Sequence, residues 1–228
     1  AYAPAARRVP GLISGDTDLA VGSPTPAGTL VSASADGLPT TGPRTVEVWA
    51  QTTAGGGQTL FSYGQTNSNT QYFQFSIRNG NQLFFMGWGD DMVFGTPYPV
   101  NDGHPHHYAL SYDGTGVLTF YLDGQQIGQG GLGGALHTSL GAQGLWLGNG
   151  VDGAFAGTLD EAAVYTSALT PDQVNAHWRA GTAAAACPSA PTTGYARAIA
   201  ADHPQHYFTL GDAGQAATDL SGNCRYGA

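Results

Sequence analysis

Between residues 45 and 165, apolar residues recur at every second position in short runs, and glycine, asparagine and aspartate punctuate those runs. Such alternation marks antiparallel strands with one buried and one solvated face. In residues 45–51, Val46, Val48 and Ala50 fall on one face, and Glu47, Trp49 and Gln51 on the other. Residues 71–78 set Tyr72 out of phase with Phe73 and Phe75; Asn79-Gly80 then predicts a two-residue hairpin turn, with 82–87 returning as the partner strand. Residues 106–112, 116–122 and 125–128, joined by Asp113-Gly114 and Asp123-Gly124, predict a three-stranded meander. Residues 145–147 and 155–165 supply the late strands. Strict alternation in the last places Leu159, Glu161 and Ala163 on one side and Asp160, Ala162 and Val164 on the other.

One helix follows. Thr170-Pro171-Asp172-Gln173 offers an N-cap, a proline at the first helical position and a glutamine closing a capping box, with the run ending near Gly181. Val174, His177 and Trp178 share its packing face. Residues 182–194 are rich in alanine, proline and threonine without periodicity and read as a linker. Beyond them, 195–201 predicts a short helix and 206–210 one more strand.

At 228 residues the chain fits one large β domain with an ample core. Only 10% of residues are charged and all seven basic residues are arginine, so the surface is built from neutral polar groups. A net charge of −9 without a basic run offers phosphates nothing to pair with. Nucleic acid is therefore not an expected partner, whereas cations and neutral sugars fit. No apolar run reaches the roughly 20 residues of a bilayer span, so membrane insertion is not expected. The absence of an initiating methionine and a signal peptide reads as a mature chain or a fragment. Cys187 and Cys224 lie in loop-like sequence and are expected to form a disulfide, which implies an oxidising, extracellular compartment.

Few residues carry chemistry. His104, His106 and His107 cluster without a nearby Glu or Cys, and a structural role is expected. Glu47 and Glu161 are the only glutamates, and no paired-carboxylate strand of the glycosidase kind surrounds them. No nucleophile elbow or phosphate loop is present, so the chain reads as non-enzymatic. Trp88 and Tyr98, flanked by glycine and proline in loops, are the candidates for a sugar-stacking platform, while Trp49, Trp146 and Trp178 are expected in the core.

Several stretches together resemble the laminin-G-like jelly-roll family, a branch of the concanavalin-A-like sandwiches. They are Thr45-Val46-Glu47-Val48-Trp49, His106-His107-Tyr108-Ala109-Leu110-Ser111-Tyr112-Asp113-Gly114 and Leu118-Thr119-Phe120-Tyr121-Leu122-Asp123-Gly124. Later come Leu147-Gly148-Asn149, Phe155-Ala156-Gly157-Thr158-Leu159-Asp160-Glu161-Ala162-Ala163-Val164-Tyr165 and Ala168-Leu169-Thr170. The resemblance implies an all-β, two-sheet antiparallel jelly-roll sandwich with one or two short helices. Members of that family bind sugars, bind proteins, hold enzymes together or only space domains. It further implies a calcium site in which Asp219 and Asn223 of Asp219-Leu220-Ser221-Gly222-Asn223 act with Asp160.

The family's opening helix, aromatic strand and Asp-x-Ser-Gly-Asn loop stand here at the end of the chain, as 195–201, Tyr207-Phe208-Thr209-Leu210-Gly211-Asp212 and 219–223. Residues 1–181 then form a sandwich lacking its first strand, 182–194 a linker, and 195–228 a completing segment. That segment completes its own sandwich, completes a neighbour's, or reflects a cut through a tandem array. The length of the linker favours the neighbour, with Tyr207, Phe208 and Leu210 as the assembling residues and self-association into a polymer as the outcome. The leading expectation is an extracellular structural or adhesive subunit, with a carbohydrate-binding module as the alternative.

Overall fold

In the structure, a computed structural model, the described residues form thirteen β-strands and one α-helix longer than a turn. Residues 6–13, 18–23, 25, 30–140, 144–182, 194 and 198–199 are described. The chain divides into two units, one of Ala1–Leu12 with Asp18–Trp178, the other of Ile13–Thr17 with Arg179–Ala228. Of the second, only Ile13, residues 179–182, 194 and 198–199 are described, with Ala198 and Ile199 helical. Cys187, Cys224, Tyr207, Phe208, Leu210, Asp219 and Asn223 lie outside the described residues.

The first unit carries two antiparallel sheets. The seven-stranded sheet runs β1(Arg7–Pro10), β2(Leu19–Ser23), β13(Gly157–Tyr165), β4(Arg44–Gln51), β9(Pro105–Tyr112), β10(Val117–Leu122), β11(Gln125–Gly131). The six-stranded sheet runs β3(Val31–Ala33), β12(Leu145–Leu147), β5(Gly57–Gly64), β6(Tyr72–Arg78), β7(Gln82–Met86), β8(Met92–Gly95). Val46, Val48 and Ala50 of β4 meet Phe73, Phe75 and Ile77 of β6 in one core, as their alternation requires. Each fully buried Leu or Phe there contributes about 1.5–3 kcal/mol. The all-β two-sheet sandwich follows the sequence reading.

The turns refine it. The β10–β11 turn is the expected two-residue Asp-Gly, with φ of 49° at Asp123 and 72° at Gly124, the pairing whose twist suits adjoining strands. Between β6 and β7, however, Arg78 pairs with Gln82, so three residues form the loop rather than two. The extra residue accommodates the 2.7 Å bond from Val100 N to Gly80 O and the neighbouring Asn101 side chain. Between β9 and β10, Asp113 Oδ1 accepts the N–H groups of Thr115, Gly116 and Val117 and closes a longer turn.

Strict alternation fails in β13. Asp160 faces Trp49 and Ala163 faces Glu47, a bulge between them, with Glu161 at φ 46°. The inserted residue reverses the phase, so Leu159 and Val164, expected on opposite sides, both pack on the core.

Helix α1(Pro171–Thr182) begins as its sequence dictates: Thr170 N donates to Gln173 Oε1 at 2.9 Å and Gln173 N donates back to Thr170 Oγ1 at 3.3 Å. Val174 packs with Ala109, Tyr121 and Leu169 on the outer face of the seven-stranded sheet. Among the described residues no helix is long and apolar enough to cross a membrane.

Candidate functional site

Trp88 follows β7 between two glycines and holds φ at 63°, a left-handed backbone that costs a bulky residue about 1 kcal/mol or more. Its half-buried ring packs edge-on against Tyr72, with centroids 6.1 Å apart. Asn67 and Thr70, in the loop joining β5 to β6, share that backbone region at φ 62°. The Asn69 side chain closes on Gly89, and Asp90 Oδ1 accepts from Gly133 N at 3.2 Å. His137 N donates to Thr70 O at 3.0 Å. Residues 65–71, 87–91 and 132–140 thus form one rim at an end of the sandwich. Gln65, Asn67, Asn69 and His137 are exposed on it.

Tyr98 does not join this rim. Phe85 pairs with Met92 and Gln82 with Gly95, so Trp88 and Tyr98 leave opposite ends of the β7–β8 hairpin. They do not form a single platform. Tyr98 OH instead donates to Asp123 Oδ2 at 2.7 Å. The same oxygen lies 2.7 Å from His106 Nδ1, while His106 Nε2 lies 3.2 Å from Asp102 Oδ1. Burial works against a charge on His106, but Asp123 and Asp102 outweigh it and raise its pKa. Aspartates therefore accompany the histidine cluster, Asp102 from four residues upstream of His106 and Asp123 from the β10–β11 turn.

Glu47 and His107 lie beneath α1. Glu47 Oε1 accepts from Tyr165 OH at 2.5 Å, and its Oε2 stands 3.0 Å from His177 Nδ1 and 3.6 Å from His107 Nε2. Burial opposes the charge, yet His107, Tyr165 and His177 together bring the Glu47 carboxyl down to about 2. Both its oxygens are engaged. Trp49 is buried against His107 as expected, but Trp146 and Trp178 are only half-buried. On β12 the alternation sends Leu145 and Leu147 inward, leaving Trp146 to face out.

The third constellation is acidic. One carboxylate oxygen from each of Asp18, Asp160 and Glu161 lies within 4.8 Å of the others. Asp160 Oδ2 accepts from Leu12 N at 2.7 Å, fixing its orientation. Beside them a cleft of about 290 Å³ is lined by Leu19, Val21, Val31, Leu147 and Leu159. Oxygens so spaced fit one hard cation held at about 2.3–2.6 Å, as calcium requires. They are tighter than the carboxyl separations, about 5–9.5 Å, at which glycosidases act. Of the ligands expected from sequence, Asp160 is the one described. Glu161 was missed because alternation assigns it to the opposite face, and Asp18 because nothing local ties it to residue 160.

A two-sheet antiparallel sandwich with this strand order is a jelly-roll module. The chain belongs to the concanavalin A-like lectin/glucanases superfamily, whose laminin-G-type family model matches residues 26–175. Its fold is similar to that of domain 4 of an extracellular arabinanase from Geobacillus stearothermophilus, solved in complex with arabinotriose. The identity is 24% and the TM-score 0.56, covering 75% of this chain and 80% of that one. It is similar also to the binding domain of Paraclostridial Mosquitocidal Protein 1, with 13% identity, TM-score 0.59, and coverage of 80% and 47%. Domains LG4-5 of the mouse laminin alpha1 chain give 17% identity and TM-score 0.51, over 75% and 44%. No curated protein matched the chain.

Proposed function

We propose that the chain is an extracellular, non-catalytic adhesive module that stacks a neutral saccharide on Trp88. The observation that carries this is a strained tryptophan held by three loops whose exposed side chains include neutral amides. Strain of this kind persists where the surroundings over-determine it, as at ligand clamps. An indole face offers a sugar ring apolar C–H contact, and neighbouring amides take its hydroxyls. The net charge of −9 favours a neutral ligand over an anionic one. Similarity to the arabinanase domain solved with arabinotriose fits the same reading. Glycan-array screening tests it: binding present in the native chain and in Tyr98→Phe, but lost in Trp88→Ala, is the expected result. Binding retained by Trp88→Ala refutes it.

The acidic corner holds calcium in this reading, with Asp18, Asp160 and Glu161 supplying oxygens and the ion neutralising their mutual repulsion.

One observation favours a second role. Beyond the bulge, residues 163–165 pair with β4 on one side, and among the described residues no strand pairs with them on the other. An open edge above an apolar cleft accepts an added strand. In this reading Tyr207, Phe208 and Leu210 of one copy complete the next and propagate a fibre. Electron microscopy of untreated protein showing ordered fibres, lost on replacing Phe208 by Asp, is the expected outcome; a strictly monomeric species at high concentration rules it out.

A further inference from the structure

Arg44, the first residue of β4, is wholly buried, its Nε has no acceptor, and among the described residues no carboxylate pairs with it. Burying a charge without a counter-ion is costly, and an apolar side chain of similar volume fills such a place about as well. Packing alone therefore does not call for arginine here. What a guanidinium adds is a set of donors fixed in one plane, able to hold several acceptors at once.

One of those acceptors is Thr138 Oγ1, 3.0 Å from Nη1. Thr138 is where the rim loops meet. Its methyl lies 2.8 Å from the place a Cβ on Gly64 would take, at the point where β5 enters loop 65–71. The residues on either side of it are tied to that same loop: His137 N donates to Thr70 O and Ser139 N to Gln71 O, each at 3.0 Å. Leu136 N donates to the hydroxyl of Tyr112 at 2.9 Å, and the guanidinium lies over the Tyr112 ring. Farther along, Gly133 N reaches Asp90 in the Trp88 loop. We infer that Arg44 is a positioning residue for the Trp88 rim, acting through Thr138 and touching no ligand itself. The inference rests on the reading that Trp88 stacks a saccharide, but its first test needs none.

Amide hydrogen exchange on the full chain provides that test. Arg44→Met keeps the volume and removes the donors, and protection at His137 and Ser139 should fall at least about tenfold. Thr138→Val removes only the acceptor and should also lower protection there, and the double variant should lose no more than Arg44→Met alone, because both changes cut one link. Ile77→Val, at the other end of β6, lightens the core without touching the rim and should leave both amides within about twofold of the native chain. Unchanged protection in Arg44→Met, additive losses in the double variant, or an equal fall in Ile77→Val overturns the proposal. On a glycan array, Arg44→Met should keep the native ranking of glycans and lose at least about tenfold in affinity, and undiminished binding overturns the proposal equally. A native chain that binds no glycan refutes the reading of Trp88 and leaves the exchange result to decide the role of Arg44, so the two failures are told apart.

Discussion

Arg44 donates from Nη1 to the hydroxyl of Tyr63 at 2.5 Å, wholly inside the sandwich. The same nitrogen reaches Pro39 O at 2.6 Å and Thr138 Oγ1 at 3.0 Å, and the guanidinium lies between the rings of Phe73 and Tyr112 at 5.3 and 5.2 Å. Among the described residues no carboxylate pairs with it, and its Nε has no acceptor. The rings and carbonyls replace a counter-ion. Arg44→Ala should cost about 3–5 kcal/mol by chemical denaturation, through cavity and lost bonds together. Arg44→Met, which fills the space without a charge to desolvate, should cost only about 1–2 kcal/mol.

The Asp102–His106–Asp123 clamp makes stability depend on pH. His106 is raised above its ordinary 6.5, so its contribution is fully present below that value and is lost as pH rises through the folded one. Asp102 and Asp123 are depressed despite burial, through hydrogen bonds that include His106, and their contribution is lost only as pH falls through their lowered values. The difference in melting temperature between the native chain and His106→Gln should therefore be largest near about pH 5–6 and shrink above. A difference that grows towards alkaline pH would contradict this assignment.

Glu47 predicts behaviour at the acid limit. Its carboxyl, at about 2 against an ordinary 4.5, supports α1 at every pH above the ordinary value and releases it only as pH falls through about 2. Glu47→Gln should cost about 1–3 kcal/mol at neutral pH and remove that part of the acid transition, read by circular dichroism.

Backbone strain at Trp88 separates from its packing. Both Trp88→Ala and Trp88→Gly lose the contact with Tyr72, but only glycine adopts φ 63° freely. Trp88→Gly should therefore be more stable than Trp88→Ala by about 1 kcal/mol. Equal stabilities would mean that the loop relaxes.

Calcium should raise the melting temperature, by about 2.7 kcal/mol of stability at roughly a hundredfold excess over its dissociation constant. Asp160→Asn should abolish the response. A melting curve indifferent to both calcium and chelator would remove the ion from the acidic corner.

What the sequence disclosed was whatever local alternation or turn chemistry encodes. The strands at 45–51, 72–78, 82–86 and 105–112, the Asp123-Gly124 turn and the Thr170 capping box follow from neighbours within a few residues, whereas β5 and β8, rich in glycine or short, were not foreseen. The rim around Trp88 was visible only as an aromatic between glycines, because Asn69 and Gly133 close on its loop from other loops. The clamp on His106 takes Asp102 from four residues upstream and needed the β9–β10 pairing to bring Asp123 to it. The acidic corner hid behind the bulge, an insertion no period-two count can register.

That bulge separates two properties of β13 at a single position. Removing residue 161 would restore unbroken alternation with Leu159 and Val164 still facing the core, and would take away one of the corner's carboxylates. Loss of one codon would thus spare the strand's packing while dissolving its ion-binding pocket, so the two traits are inherited separately.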